Sequence, residues 1–233
     1  AVPQMRDTHE VVKQLDLSDT KTKLLAIVAN ERGAAEALSY DQISYIGYPF
    51  SISENFQMRN TNTTIEDSLL LLNRLVEHAS SVNRELVVYL SMGFGNPYGD
   101  PWSPALVADW VSRLVDMGVK RISLSDTVGL AQPKTITDLF EHLLQAYPDI
   151  VFGVHLHAKP NEATSKIKAA YAGGCRAFDS AIRGLGGCPM AKDELTGNVP
   201  TEKLLSFLTA QKAQISVNML HFESAYNASL HVC

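Results

Sequence analysis

The sequence predicts an α/β fold, a parallel-stranded (β/α)8 TIM barrel, and three observations carry that prediction. Short Val-, Ile- and Tyr-rich runs alternate with longer amphipathic segments, the pattern of strands covered by helices. No antiparallel hairpin signal interrupts the alternation. Polar residues suited to chemistry, Asn30, Ser91, Asp126 and His157, fall at the carboxyl ends of strands, where barrel enzymes place their sites. A doubly wound open sheet is the competing architecture, but no Gly-x-Gly-x-x-Gly turn follows the first strand.

Taken in order, Asp7 and Glu10 form a capping box that opens a short helix through Leu15. Strands are expected at Leu24–Ala29 and Gln42–Gly47. The polar stretch from Ser53-Glu54-Asn55-Phe56 to Asn62 is expected as a long loop. Thr63 and Glu66 make a second capping box for a long helix to about Val82, with an apolar stripe of Leu69, Leu72, Leu75 and Val76. Strand Leu86–Ser91 runs into a Gly-rich connection that ends at Asp100. Ser103 caps a helix through Met117, closed by Gly118. Strands Arg121–Ser125, Ile150–His157 and Ala177–Ala181 follow, with Pro133 and Pro160 at helix starts and Gly173-Gly174 at a helix end. The last periodic segment, after Asn218, carries Leu220, Phe222, Ala225 and Leu230. These make six strand units.

The chain has 233 residues, 45% apolar and 19% charged, which suits one globular domain over residues 1–233. A net charge of -5 and scattered basic residues exclude a nucleic-acid footprint. No apolar run approaches the roughly 18 residues of a membrane span. The start, Ala1 to Asp7, lacks the basic-then-apolar pattern of a secretion signal. Three cysteines, Cys175, Cys188 and Cys233, form no paired framework, so a cytoplasmic location is expected.

The strongest chemical pattern is Gly153-Val154-His155-Leu156-His157. Alternate side chains of a strand share a face, so His155 and His157 point together into the barrel mouth, where they either bind one divalent metal or are two unrelated histidines. Arg183-Gly184-Leu185-Gly186-Gly187-Cys188-Pro189 follows the last strand. Its glycines allow a loop that closes over substrate, and Cys188 could be an acid, base or nucleophile, or only a bystander thiol. Asp126 could support a reacting centre or simply cap the next helix. The Ser91–Asp100 connection and the Ser53–Asn62 loop are either functional or merely flexible.

In this order the segments resemble the 3-hydroxy-3-methylglutaryl-CoA lyases, within the wider metal-dependent aldolase-type barrels. The resemblance runs through Val2-Pro3-Gln4-Met5, Ser53-Glu54-x-Phe56, Asn96-Pro97-Tyr98 and Ser125-Asp126-Thr127-Val128-Gly129. It ends with His155-x-His157, Gly184-Leu185-Gly186-Gly187-Cys188-Pro189 and Gly197-Asn198. It implies cleavage of 3-hydroxy-3-methylglutaryl-CoA to acetyl-CoA and acetoacetate, with an acyl-CoA as the small-molecule partner; the apolar final helix separately suggests a homodimer. The implied ligands of a divalent metal, Mg2+ or Mn2+, are His155, His157 and Asn198. Cys188, His155 and Asp126 match the catalytic positions, and substrate contacts are implied at Ser53, Asn96, Tyr98, Gly186 and Gly187.

The same barrel family includes acyl-CoA-condensing synthases of the isopropylmalate or homocitrate type, which share His-x-His but usually lack the Cys-Pro loop. Here Cys188-Pro189 favours the lyase; a barrel fragment acting only as a scaffold is the non-enzymatic alternative. Two departures stand out. His157 is followed by Ala158-Lys159-Pro160 where lyases commonly have an aspartate, and the loop containing Asp193-Glu194-Leu195-Thr196 is one residue longer than usual. The resemblance also assigns the six units to strands 3–8 of the barrel, with the family's Arg-Asp pair and glutamate on strands 1 and 2 unmatched. The expectation is therefore that the 233 residues alone would be insoluble or inactive, because open edges expose apolar strand.

Overall fold

Six strands form one parallel sheet in strict sequence order, and the order follows from the alternation of strand and helix. The computed structural model describes residues 6–189 and 196–231. Its elements are α1 (Thr8–Gln14), β1 (Leu24–Ile27), α2 (Glu31–Leu38), β2 (Ile43–Ser51), α3 (Glu54–Thr61), α4 (Ile65–Ser81), β3 (Glu85–Ser91) and α5 (Pro104–Asp116). They continue with β4 (Arg121–Asp126), α6 (Pro133–Ala146), β5 (Val151–Ala158), α7 (Ala163–Ala172) and β6 (Ala177–Phe178). A short β7 (Gly197–Asn198), α8 (Thr201–Ala210) and α9 (Met219–Ser229) complete the set. The sheet curls as part of a barrel with helices on its convex face. No helix among the described residues is long and apolar enough to cross a membrane.

The core lies between the sheet's convex face and the helices. On β2 and β3 the residues facing that layer, Ile46, Tyr48, Phe50, Val88 and Leu90, have no exposure at all. They pack with Leu72 and Leu75 of α4 and Val107, Val111 and Leu114 of α5. This is the large favourable term of the fold, roughly 1.5–3 kcal/mol for each fully buried large aliphatic side chain. The alternate residues point to the concave face, and there burial is incomplete. On β1 the pattern is regular: Leu25 and Ile27 are 37% and 59% exposed. Among the described residues no strand pairs with the free side of β1.

Several local expectations are corrected. Strand β2 continues past Gly47 to Ser51, through Pro49. Proline is tolerated because β1 pairs with β2 only as far as Ile27 opposite Gly47, so from there β2 has a neighbour on one side only. The Ser53–Asn62 stretch is not a loop but α3: the Ser53 hydroxyl accepts from the Phe56 amide at 3.2 Å, and Asn62 ends the helix in the left-handed region at φ 54°. Its polar composition conceals a helix that buries only Phe56 and Gln57. The cap of α4 is Thr64, which accepts from the Asp67 amide at 3.0 Å, one residue beyond the expected Thr63. Asp7 makes no side-chain cap at α1. Helix α7 begins at Ala163, after a turn that includes Pro160. The Gly-rich connection after β3 is pinned: the Met92 amide donates to Thr127 Oγ1 at 2.8 Å and the Gly93 amide to the Ser125 carbonyl at 3.0 Å. Val2–Met5, Asp193–Leu195 and Cys233 lie outside the described residues.

Candidate active site

Strand parity sets the site. Along β5, Phe152, Val154 and Leu156 are buried against the helices, so Gly153, His155 and His157 face the concave side. Register supplies the neighbours. Ser125 of β4 lies opposite His155, and β6 pairs through Gly153 with Ala177 and Val154 with Phe178. The two residues of β7 return antiparallel to β5 and put Asn198 opposite His157. Residues far apart in sequence thus share one patch of strand ends.

The geometry converges on a point. His155 Nε2 and His157 Nε2 are 3.2 Å apart. The Asn198 amide nitrogen donates to the Leu185 carbonyl at 2.7 Å, which leaves its amide oxygen for the histidine side. Burial, then the neighbouring His155, push the pKa of His157 down to about 4, so its ring is neutral at pH 7. Two ring nitrogens facing one another at this distance call for a cation or a proton between them. Neutral imidazoles and an amide oxygen are donors that a divalent cation accepts, and on that chemistry the residues fit one. Among the described residues no three His, Cys, Asp or Glu side chains form a metal cluster; the third donor here is an amide.

These side chains line a cavity of about 640 Å3, together with Tyr89, Ser91, Thr127, Asp179, Gly187 and Cys188. Cys188 is half-buried and lines the same cavity. The glycine loop that delivers it is tightly packed. Gly184 has φ +67°, and a Cβ there would meet the Asn198 carbonyl at 2.8 Å; Gly186 has φ +81°, and a Cβ would sit 3.1 Å from the Asn198 amide nitrogen. A side chain at Gly184 would press on the Asn198 backbone, and one at Gly186 on its side chain.

Asp126 does not reach the cavity. Its neighbour Ser125 faces inward, so Asp126 points into the helical layer, 1% exposed. One carboxylate oxygen accepts from the Ala131 amide at 2.9 Å and the other from Lys166 Nζ at 2.7 Å. Burial raises the Asp126 pKa and Lys166 opposes that rise. Lys166 also donates to the carbonyls of Gly129 and His157, at 3.0 and 2.9 Å, and so ties the ends of β4 and β5 from behind. Ser53, Asn96 and Tyr98 likewise lie away from the cavity. Ser53 donates to Asp100, whose other oxygen accepts from the Asn55 side-chain Nδ2 at 2.6 Å. Asn96 Oδ1 accepts the Tyr98 and Asp100 amides at 3.0 and 3.1 Å, and Arg59 stacks 4.8 Å from the Tyr98 ring. These three brace the loop after β3 against α3. Asn30, another strand-end residue, caps α2 through the Gly33 amide at 2.9 Å.

Two functional neighbours escaped the sequence reading. Asp179 Oδ2 lies 3.1 Å from His155 Nδ1; the parity that orients His155 also turns Asp179 inward, two residues past Ala177. Lys166 sits on the helical stripe of Ala163, Ile167 and Ala170, and a lysine on an apolar stripe signals a buried partner.

Comparison with known proteins identifies the family. The mitochondrial hydroxymethylglutaryl-CoA lyase of Macaca fascicularis is 32% identical over 228 residues, 97% of this chain and 69% of that protein. The cytoplasmic 3-hydroxy-3-methylglutaryl-CoA lyase of Homo sapiens is 33% identical over 220 residues, 94% of this chain and 58% of that protein. The chain therefore spans less than two thirds of the human relative's length. Among solved structures, the HMG-CoA lyase of Bacillus subtilis matches with a TM-score of 0.88 at 30% identity, covering 97% of this chain and 75% of that one. The HMGL-like family profile matches residues 1–228. With the strand-end histidines, the returning asparagine and the glycine-cysteine loop in one cavity, the chain belongs to the HMGL-like family.

Proposed function

We propose that this chain provides the site of a carbon–carbon lyase that cleaves 3-hydroxy-3-methylglutaryl-CoA to acetyl-CoA and acetoacetate. The observation that carries the reading is the convergence of His155, His157, Asn198 and Cys188 on one cavity. His155, His157 and Asn198 would hold a divalent cation, Mg2+ or Mn2+. Such an ion supplies Lewis-acid polarisation of the substrate's hydroxyl and carbonyl oxygens.

The reaction needs a proton taken from the tertiary hydroxyl and another given to carbon. As the hydroxyl loses its proton, the carbon–carbon bond breaks and its electron pair leaves on the acetyl-CoA fragment as an enolate. The hydroxyl carbon becomes the ketone of acetoacetate. His155, as one of the residues that would hold the cation, would orient the hydroxyl, and the hydroxyl proton would leave to solvent in the cavity. Cys188, on the glycine loop that lines the same cavity, is suited to deliver a proton to the enolate carbon. Asp126 acts behind the site, through Lys166 and the β4 turn. The loop braced by Ser53, Asn96 and Tyr98 supports the mouth of the sheet.

The reading extends to a single catalytic domain over residues 1–233, supported by the unbroken run from β1 to β6. It extends to a homodimer as well, supported by α9, which buries no residue and leaves Leu220 77% exposed. A cytoplasmic location is retained because Cys175, Cys188 and Cys233 form no disulfide framework in the sequence. The test is a coupled assay for acetoacetate on the full-length protein, with and without chelator, for wild type, Cys188→Ala and His155→Ala. Turnover abolished by chelator and reduced at least a hundredfold by each substitution is expected, since each removes a group from the reacting centre. Activity indifferent to all three would defeat the reading, and release of free CoA thiol from acetyl-CoA and a 2-oxo acid would replace it with the condensing reaction.

A further inference from the structure

The ring of His155 is held on three sides. Its Nε2 faces His157 Nε2 at 3.2 Å, its Nδ1 faces Asp179 Oδ2 at 3.1 Å, and the Tyr89 ring meets it edge-on at 5.9 Å with planes at 89°. The position of Asp179 is set by the backbone rather than by chance. Its amide donates to the Val154 carbonyl at 3.0 Å, which continues the β5–β6 register by one step and brings the carboxylate beside His155. A carboxylate can only accept from a neutral ring nitrogen, so this contact requires the hydrogen of His155 on Nδ1. The lone pair of His155 is then on Nε2, aimed at the point it shares with His157.

We propose that Asp179 is a positioning residue: it fixes the tautomer and the orientation of His155, and so makes the ring a competent metal ligand before any ion arrives. The proposal rests on the functional reading above for the identity of the ion, and on this chain's own geometry for the rest. Partners of this kind hold a ligating imidazole in place, and their loss typically weakens metal affinity about ten- to a hundredfold.

Two readouts test it on the full-length protein. In the metal-free protein, long-range proton–nitrogen NMR of the imidazoles is expected to show His155 with hydrogen on Nδ1. Titration with Mn2+ is expected to show affinity about ten- to a hundredfold weaker in Asp179→Ala, with His155 in mixed tautomers. Asp179→Asn keeps an accepting oxygen at the same place, so its Nδ1 hydrogen should persist and its affinity stay within about tenfold of wild type. Hydrogen on Nε2 of His155 in wild type would overturn the proposal without any variant. So would unchanged Mn2+ affinity in Asp179→Ala, or equal losses in the Ala and Asn variants, which would make Asp179 a ligand instead. If Asp179→Ala does not fold, the wild-type spectrum and Asp179→Asn still decide. A protein with this tautomer and this metal affinity but no lyase turnover would defeat the functional reading and leave the positioning role standing.

Discussion

His157 is inside the protein at 5% exposure and beside another imidazole, and both facts oppose its protonation. Its value of about 4 lies below the 6.5 of an ordinary histidine, so in the metal-free protein the unfolded chain takes up this proton first as pH falls. The sign follows: stability associated with neutral His157 is fully present above about pH 6.5 and is lost as pH drops towards 4. Thermal melts of chelator-treated protein should show a falling midpoint across that window, with a shallower fall in His157→Gln; identical slopes would contradict the assignment. The Asp126–Lys166 pair makes a second claim at this scale, since both side chains are nearly excluded from water, at 1% and 4%. Lys166→Met should lower the unfolding free energy by roughly 3 kcal/mol, because it strands a buried carboxylate. Denaturant unfolding reads that loss, and Asp126→Asn in the same chain should recover part of it. The inward direction of His155 and His157 was legible from period-2 parity alone. The same parity, applied from Ser125, turns Asp126 away; its conspicuous place at a strand end outweighed that arithmetic.

Among the elements, β7 matters out of proportion to its length. Two residues return to β5 and bring Asn198 opposite His157, and no periodicity can announce so short a strand. What was legible was the Gly-rich run before Cys188, expected as a loop that closes over substrate. In the structure those glycines also have a packing duty against the Asn198 strand. Gly184→Ala combines a left-handed backbone with a Cβ at 2.8 Å from the Asn198 carbonyl. It should cost about 1–2 kcal/mol or more and weaken Mn2+ binding, measured by unfolding and by titration. Wild-type values in both would show that the loop yields freely. Helix α3 teaches the opposite lesson: its cap residues Ser53 and Asn62 were visible in the sequence, but the weakly apolar segment between them gave no helical stripe. Composition suppressed what the caps stated.

For the molecule as a whole, alternation of strand and helix was enough to give a parallel sheet in sequence order, and the six principal strands were each located. What alternation cannot give is curvature or closure, because these depend on strand tilt and on pairing at the edges. The concave face carries the site, and its β1 side exposes Leu25 and Ile27 beside an edge that no strand among the described residues pairs. A chain with this β1 edge open should associate or precipitate at raised concentration, as open apolar edges do. Light scattering after size-exclusion chromatography checks this, and a soluble monomer would contradict it. Strand register gathers His155, His157 and Asn198 on one cavity, where we propose that they hold one cation. Titration of Mn2+ into the full-length, chelator-stripped protein tests it most directly. The account predicts one tight site per chain in wild type, lost or severely weakened in both His155→Ala and Asn198→Ala; binding unchanged in either variant would contradict it.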